Sequence, residues 1–443
     1  SDAMECLAAA GLKTILFVGV PTAELLSRHG DLDAVGIAGH SRTYGPSEMN
    51  EIMPEILATL LRFNAPVIHY KVCSTFDSSP ESGSIGRVMD IARDTIGASL
   101  IPIVAGAPKL ARFSAFGNLF ARHNVDDTVY RIDCHPTMSI HPVTPMHEAD
   151  LRRHIGMQTA QEIALLSAPL VAQPLPIAKS TLAAVLAGKP KSILIDLFCE
   201  RDEATVGELI ESMAQDHLPL FVVGSSGVEY ALTAAWRQQG KLPTSALSMT
   251  AQPVERMLVM SGSCSPATAA QIERAMQAGF AGIDIDPVTL ISEGAEGRHG
   301  SQIIDQVAAA ASSGKSMVVH SSLGPGDARE SRLIERYQAA GITPAEARLK
   351  GGRELANTAA KLLQRILLRV PFERFVVAGG DTSSAAIRQL GIDALEMIAP
   401  LAPGAPLCRA LATEPARNGQ EVVLKGGQIG SPDFFLHARN GRC

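Results

Sequence analysis

Short runs of β-branched and aliphatic residues alternate along this chain with longer stretches that carry a helical pattern. In the first half of the chain such runs occupy residues 14–18, 33–38, 66–70, 101–104, 192–195 and 220–223. Helical stretches lie between several of them, for example residues 47–61 and 204–215. This alternation is typical of parallel sheets that are covered by helices on both faces. The sequence therefore predicts an α/β fold.

A polar, proline-containing connector at about residues 239–255 interrupts the alternation, which then resumes at residues 257–260, 317–320 and 374–377. With 443 residues, the chain is also too long for one ordinary hydrophobic core. We therefore predict two α/β domains, residues 1–248 and 249–443. Each is expected to hold a mainly parallel sheet flanked by helices, with the active site in the cleft between the domains.

The composition argues against several classes of partner. A formal net charge of −6 and an aromatic content of 4%, with Trp236 as the single tryptophan, do not suit nucleic-acid binding. No apolar run approaches the roughly 20 residues of a membrane span. Seven scattered cysteines without a CxxC pair indicate a reduced, cytoplasmic protein. His147, Glu148 and His154 lack the HExxH spacing of a zinc helix, so no protein-bound metal is predicted.

Glycine- and hydroxyl-rich loops follow several of the predicted strands and precede helices. They lie at residues 224–227, 261–265 and 379–384, with a fourth candidate at residues 425–430. Glycine allows the backbone to approach a phosphate closely, and a helix N-terminus offers free N–H groups. One such loop is an ordinary α/β connection, but three of the four lie in the second half. The sequence contains neither a GxxxxGK[ST] loop nor a GxGxxG fingerprint with a suitably spaced acid. A nucleotide site of another kind is therefore predicted there.

A polar set in the first half could bind a small acid. Arg42 follows the second predicted strand and Lys71 ends the third, and the hydroxyl-rich turn after it holds Ser74, Thr75 and Asp77. If these strands are adjacent, both cations lie over one crevice. Arginine can bind a carboxylate through two hydrogen bonds, and the turn residues could bind hydroxyls. The alternative is that the cations are surface charges and that the turn residues cap the next helix.

At these residues the chain resembles the four-carbon acid sugar kinase family, whose members phosphorylate threonate, erythronate, 3-oxotetronates and related acids with ATP. The matching segments, in chain order, are residues 70–78, 141–146, 261–265, 379–384, 425–430 and 432–435. The resemblance implies an N-terminal acid-sugar domain and a C-terminal nucleotide domain. It assigns substrate contacts to Arg42, Lys71, Ser74 and Thr75. It assigns ATP contacts to Ser261, Gly379, Gly380, Asp381, Thr382 and Gly427.

The chain departs from the family pattern at two places. Members of the family normally begin with a strand and a Gly/Ala-Asp-Asp segment that supplies an acidic side chain to the substrate. This chain begins Ser1-Asp2-Ala3, so the resemblance implies that the general base lies upstream of Ser1, and no catalytic residue is assigned. Near the other end, Gly-Gly-Gln-Ile-Gly replaces the common Ser-Gly-Asn-Phe-Gly, which leaves the contact at Gln428 open.

The expected reaction is ATP-dependent phosphorylation of a hydroxyl group of a small sugar acid, either a four-carbon acid or a branched relative. Mg²⁺ is expected to bridge the ATP phosphates, with Asp381 orienting the metal directly or through water. Two alternatives remain open: a dinucleotide-dependent oxidoreductase of small hydroxy acids, and a non-catalytic protein that binds a sugar acid and a nucleotide. The sequence does not determine the oligomeric state, for which a homodimer is one candidate.

Overall fold

The computed structural model describes residues 2–123, 126–141, 143–243 and 249–442. Ser1, Pro142 of the 141–146 segment and the predicted boundary at residue 248 lie outside the described residues. Contacts divide the chain into two compact units, one formed by Ser1–Ala38 with Leu247–Cys443 and the other by Gly39–Ala246. Within the described residues, no helix combines the length and the apolar character that crossing a membrane requires.

The described strands are β1 (Thr14–Phe17), β2 (Ala34–Ile37), β3 (Val67–Lys71), β4 (Ile101–Val104), β5 (Arg112–Ala115), β6 (Asn118–Arg122), β7 (Val129–Arg131), β8 (Ile163–Leu166), β9 (Ser192–Ile195), β10 (Leu220–Gly224), β11 (Met257–Ser261), β12 (Ala281–Asp284), β13 (Met317–His320), β14 (Arg374–Ala378), β15 (Ile392–Ala399), β16 (Leu407–Ala412) and β17 (Glu421–Lys425). The described helices are α1 (Asp2–Ala9), α2 (Ala23–Ser27), α3 (Pro46–Leu61), α4 (Ile85–Ile96), α5 (Leu151–Gly156), α6 (Ala168–Val171), α7 (Leu175–Leu186), α8 (Glu203–Asp216), α9 (Gly227–Gln238), α10 (Pro266–Gln277), α11 (Pro287–Glu293), α12 (Arg298–Ser312), α13 (Ala328–Gln338), α14 (Pro344–Arg369), α15 (Gly380–Leu390) and α16 (Phe434–Asn440).

The unit that contains the C-terminal half is built on a sheet with the order β12-β13-β11-β14-β17-β16-β15-β1-β2. Its first five strands are parallel, and β16 and β15 continue it in antiparallel pairing. Helices α11 to α15 pack on one face of the sheet, and α10 and α16 pack on the other. Strands β11 and β14 are buried at every position, as expected for parallel strands covered on both faces.

Strands β1 and β2 belong to this same sheet, whereas the sequence analysis places them in a domain of residues 1–248. Strand β1 pairs antiparallel with β15, with Leu16 opposite Leu395, and parallel with β2. The sequence groups these residues with the first domain because they are close to it along the chain. The hydrophobic pattern identifies a strand but does not identify its pairing partner, which here lies more than 370 residues away.

The unit formed by Gly39–Ala246 holds a five-stranded parallel sheet with the order β3-β10-β4-β9-β8. Helices α3, α4 and α5 pack on one face and α7, α8 and α9 on the other. A separate antiparallel sheet contains β5, β6 and β7, which the sequence did not predict. The predicted class, two α/β units with mainly parallel sheets flanked by helices, is confirmed.

Local signals explain where the helices of the second half begin and end. Ser265 caps α10, because its hydroxyl accepts a hydrogen bond from the Ala267 amide, and Pro266 occupies the first helical position. Gly391 ends α15 in the left-handed conformation, with φ of 63°. Both boundaries are therefore set by residues at the helix ends themselves.

Candidate functional site

A cavity of about 490 Å³ opens where four neighbouring parallel strands of the larger sheet end. The segments that follow β11, β13, β14 and β17 line it, and helices α11, α13 and α14 complete its wall. Ligands of α/β proteins bind at this carboxyl edge because the loops after the strands converge there. The predicted residues Gly379, Gly380, Asp381, Thr382 and Gly427 all line the cavity.

Because glycine has no side chain, the backbone of the cavity loops packs directly against neighbouring side chains. A Cβ atom on Gly262 would lie 2.2 Å from Thr382 Oγ1, and one on Gly427 would lie 2.6 Å from Ser263 Oγ. Gly379 has φ of +118°, a conformation that residues with a side chain rarely adopt. These three positions therefore expose backbone to the cavity where any larger residue would disturb the loops.

Two helices begin at this cavity. Helix α15 starts at Gly380, directly after the β14 strand, and α10 starts at Pro266 after the β11 strand. The first N–H groups of a helix have no intrahelical acceptor, and the dipole is positive at that end. The arrangement is therefore suited to an anion such as a phosphate. Asp381 is exposed in the first turn of α15.

Ser261 occupies the last position of β11, directly before the cavity-lining Gly262. Its side chain is buried, and its Oγ atom has no hydrogen-bond partner among the described residues. Buried hydroxyls are normally hydrogen-bonded, so this orphaned donor is compatible with a bound polar group. Its predicted contact with ATP remains a prediction.

The sequence did not predict the wall opposite the glycine loops. Helices α13 and α14 contribute an apolar surface, made of Leu333, Ile334, Ala347, Leu355 and Ala356. Glu330 adds a negative charge to the lining and Arg348 a positive one. Ser321 and Ser322, in the loop after β13, also line the cavity. The signal for that loop was present in the sequence, because two serines followed by glycines come directly after a β-branched run. An apolar wall opposite an anion-binding edge matches the two halves of a nucleotide.

Lys425, the first residue of the candidate loop 425–430, is buried. It is only 1% exposed and does not line the cavity. Burial lowers the pKa of its ammonium group to about 8. Its side chain points to the helix side of the loop, where it contacts Thr268.

The Gly39–Ala246 unit gathers part of the predicted acid-binding set around Asp77. This carboxylate is buried and accepts hydrogen bonds from Arg42 Nη2 at 2.6 Å, Thr75 Oγ1 at 2.5 Å and Thr144 Oγ1 at 2.8 Å. The Arg42 side chain itself is 52% exposed. Asp77 therefore holds Arg42 in place, and its own carboxylate is not exposed to solvent.

Arg42 is positioned in this cluster by contacts other than those expected from the sequence. A shared crevice for Arg42 and Lys71 is expected from adjacent strands, but β2 and β3 belong to different sheets, so the expected adjacency is wrong. The turn that carries Arg42 is instead held by its neighbour Ser41, whose Oγ accepts a hydrogen bond from Tyr70 of β3 at 2.9 Å. Lys71 ends β3 and Ser74 follows in the next turn, both partly exposed.

His141 and Thr144 join the same cluster. His141 Nδ1 accepts a hydrogen bond from the Thr144 amide at 3.1 Å, which places the Thr144 hydroxyl against Asp77. His154, in α5, is buried and contacts Ser78 Oγ at 2.9 Å, and burial lowers the pKa of its imidazole. Thr144 lies in a segment that the family resemblance includes, but its contact with Asp77, 67 residues away along the chain, is visible only in the structure.

The 224–227 loop is a packing junction in the structure. Ser225 and Ser226 are fully buried, and a Cβ atom on Gly227 would lie 1.8 Å from the carbonyl oxygen of Gly106. The glycine is needed there because two loops touch. The same sequence pattern thus marks a cavity in one unit and a tight contact in the other.

Two family models match this chain. Residues 1–232 match a family model described as a sugar-binding N-terminal domain, and residues 258–435 match one described as a nucleotide-binding C-terminal domain. A 3-oxo-isoapionate kinase of Paraburkholderia graminis is 44% identical over 100% of this chain and 92% of its own length. The chain belongs to the four-carbon acid sugar kinase family.

Members of the four-carbon acid sugar kinase family with lower identity include a 3-oxo-tetronate kinase of Cupriavidus necator, 29% identical over 99% of this chain and 93% of its own. A solved structure of a Haemophilus influenzae protein shares the fold, with a TM-score of 0.74 and 24% identity over 99% of this chain and 96% of that one. The kinase names of these relatives, one of them 44% identical over the whole chain, show that the protein is a kinase of sugar-acid metabolism. This finding sets aside the oxidoreductase and non-catalytic alternatives.

Proposed function

We propose that this protein transfers the γ-phosphoryl group of ATP to a hydroxyl of a small 3-oxo sugar acid, with 3-oxo-isoapionate or a close branched analogue as the preferred acceptor. The observation that carries the proposal is the full-length identity of 44% to a 3-oxo-isoapionate kinase, against 29% to a 3-oxo-tetronate kinase. Both relatives are named for acids that carry a keto group, so a 3-oxo acid is favoured over threonate or erythronate.

The cavity of the larger sheet is the proposed ATP site. Its glycine-lined edge and the N-terminus of α15 suit the phosphates, and the apolar wall of α13 and α14 suits the base. Among the described residues, no group of three metal-binding side chains is present. A single carboxylate still fits Mg²⁺, because this ion is commonly held by substrate phosphates, waters and only one or two protein carboxylates. Asp381 is the proposed carboxylate, and the metal would neutralise charge on the phosphates.

The proposed acid site surrounds Asp77. Arg42 has an exposed guanidinium held in place by a buried carboxylate, so it can bind the substrate carboxylate without first losing conformational freedom. Lys71, Ser74 and Thr75 are the proposed partners for the remaining oxygens. Asp77 acts by holding Arg42. This assignment makes residues 39–246 the acid-binding unit, and residues 249–442 the main part of the nucleotide-binding unit.

An acceptor screen tests the proposed reaction. ADP release would be followed in a coupled assay with 3-oxo-isoapionate, 3-oxo-tetronate, threonate and erythronate, and the phosphorylated product would be located by ³¹P and ¹³C NMR. We expect the highest kcat/KM with the branched 3-oxo acid and no turnover when ATP is omitted. A higher kcat/KM for threonate or erythronate than for both 3-oxo acids would contradict the proposed substrate class. Saturation by the acid without ADP release would contradict the proposed reaction.

A further inference from the structure

Helix α10 carries a polar side chain at every third position, and each of them donates a hydrogen bond to the segment 427–433. The four residues are Ser265 (the N-cap), Thr268, Gln271 and Arg274. Gln271 Nε2 donates to the Ile429 carbonyl at 2.9 Å, and Arg274 Nε donates to Asp433 at 2.7 Å. Residues three apart share one face of a helix, so this stripe fastens the loop after β17 along the length of α10.

The first two members of the stripe converge on a single atom. Ser265 Oγ donates to the Gly427 carbonyl oxygen at 2.8 Å, and Thr268 Oγ1 donates to the same oxygen at 2.7 Å. Lys425 Nζ donates to Thr268 Oγ1 at 2.9 Å and lies 3.5 Å from the Gly427 oxygen. The Gly427 carbonyl is therefore held on the α10 side by three donors.

The peptide group that carries this carbonyl also carries the N–H of Gln428. In a planar trans peptide the N–H points away from the C=O, so fixing the carbonyl towards α10 turns the Gln428 N–H to the opposite side. Both Gly427 and Gln428 line the cavity. A Cβ atom on Gly427 would lie only 2.6 Å from Ser263 Oγ, so the loop has little freedom to take another path.

Burial of the charged Lys425 side chain is energetically unfavourable, so packing alone does not explain a lysine at this position. It is 1% exposed, its hydrogen-bond partners are neutral oxygens, and its Nζ lies 5.9 Å from the ring centres of Phe434 and Phe435. Burying a cation among neutral groups carries a desolvation cost that an apolar side chain of similar volume avoids. The position of this cation therefore points to a role in orienting the loop.

We propose that Lys425 and Thr268 are positioning residues for the nucleotide: they hold the Gly427 carbonyl away from the cavity and so present the Gln428 N–H to a phosphate oxygen. The proposal rests on the ATP site proposed for this cavity. It adds a donor to the cavity that the α15 N-terminus also lines, and it assigns a role to two residues that do not line the cavity themselves.

The test separates phosphate binding from binding of the base. Full-chain wild type, K425M, T268V and T268S would be titrated with ADP and ATP by calorimetry and with adenosine by ligand-observed NMR. T268V removes the hydroxyl at nearly constant volume, and T268S retains it. The matched control is K361M, which replaces an exposed lysine of α14 outside the cavity lining. Thermal melting verifies that each variant is folded.

We expect K425M and T268V to bind ADP and ATP about tenfold or more weakly, because the Gln428 N–H loses its hydrogen bond to the charged phosphate. Adenosine binding should change less than about twofold. T268S and K361M should remain within about twofold of wild type for all three ligands. If K425M does not fold, the pair T268V and T268S decides the matter.

Three results would overturn the proposal, and they differ in what else they affect. A wild type that binds neither ADP nor ATP would remove the nucleotide site itself. Wild-type affinity for ADP in both K425M and T268V would refute the positioning role while leaving the site intact. Equal losses for ADP and adenosine in T268V would show that the hydroxyl only supports the shape of the cavity.

Discussion

Replacing Lys425 with methionine should stabilise the protein at pH 7, and the gain should shrink at higher pH. Burial lowers the pKa of Lys425 from 10.5 to about 8. A shift of this size corresponds to a penalty of roughly 3 kcal/mol for keeping the folded-state lysine charged. The lost hydrogen bond to Thr268 and the lost ring contacts offset about 1–2 kcal/mol of it.

The sign of the pH effect follows from proton binding. Between pH 8 and 10.5 the unfolded chain keeps the Lys425 proton while the folded protein releases it, so wild-type stability rises with pH across this window. Methionine does not titrate. The stability difference, K425M minus wild type, should therefore fall by about 2 kcal/mol between pH 7 and pH 9.5.

Differential scanning calorimetry of both proteins at pH 7 and pH 9.5 measures this difference, and K361M serves as a control for the loss of a lysine. For a unit of this size, about 2 kcal/mol corresponds to a relative shift in Tm of roughly 4–8 °C. Comparing variants at each pH cancels the titration of all other groups.

If K425M melts below wild type by the same margin at both pH values, the desolvation argument is wrong. A stabilised K425M that binds ADP poorly would mark Lys425 as retained for function.

Three further substitutions test other parts of the structure. Arg42→Ala should raise the KM for the sugar acid roughly 10- to 150-fold and leave the KM for ATP nearly unchanged; equal rises in both would mean that Arg42 supports the fold. Gly262→Ala would place a Cβ atom 2.2 Å from Thr382 Oγ1, so we expect weaker ADP binding by calorimetry, and unchanged binding would show that the loop can shift without cost. Arg374→Met removes a fully buried guanidinium that pairs with Glu421, and denaturant unfolding should show a loss of at least about 3 kcal/mol; a loss below 1 kcal/mol would refute that role.

The amino-acid sequence by itself determined the α/β class and most of the individual elements. The hydrophobic runs at residues 101–104, 257–260 and 374–377 all form strands, and a serine followed by a proline marks the start of α10. These features depend on residues within one turn or one strand of each other, so they can be recognised locally. The glycine loops at residues 379–382 and 427 could be selected for the same reason.

Only the tertiary structure decided how these elements combine. Strand β1 pairs with β15 in the larger sheet, and the wall from α13 and α14 faces loops that are distant in sequence. The same fold buries Lys425 against α10, although it begins a loop with the glycine pattern of a phosphate-binding segment. A local pattern specifies which residues form a strand, a turn or a helix face. The partner of each strand, and the side to which a charged group points, depend on burial and hydrogen bonding between distant segments.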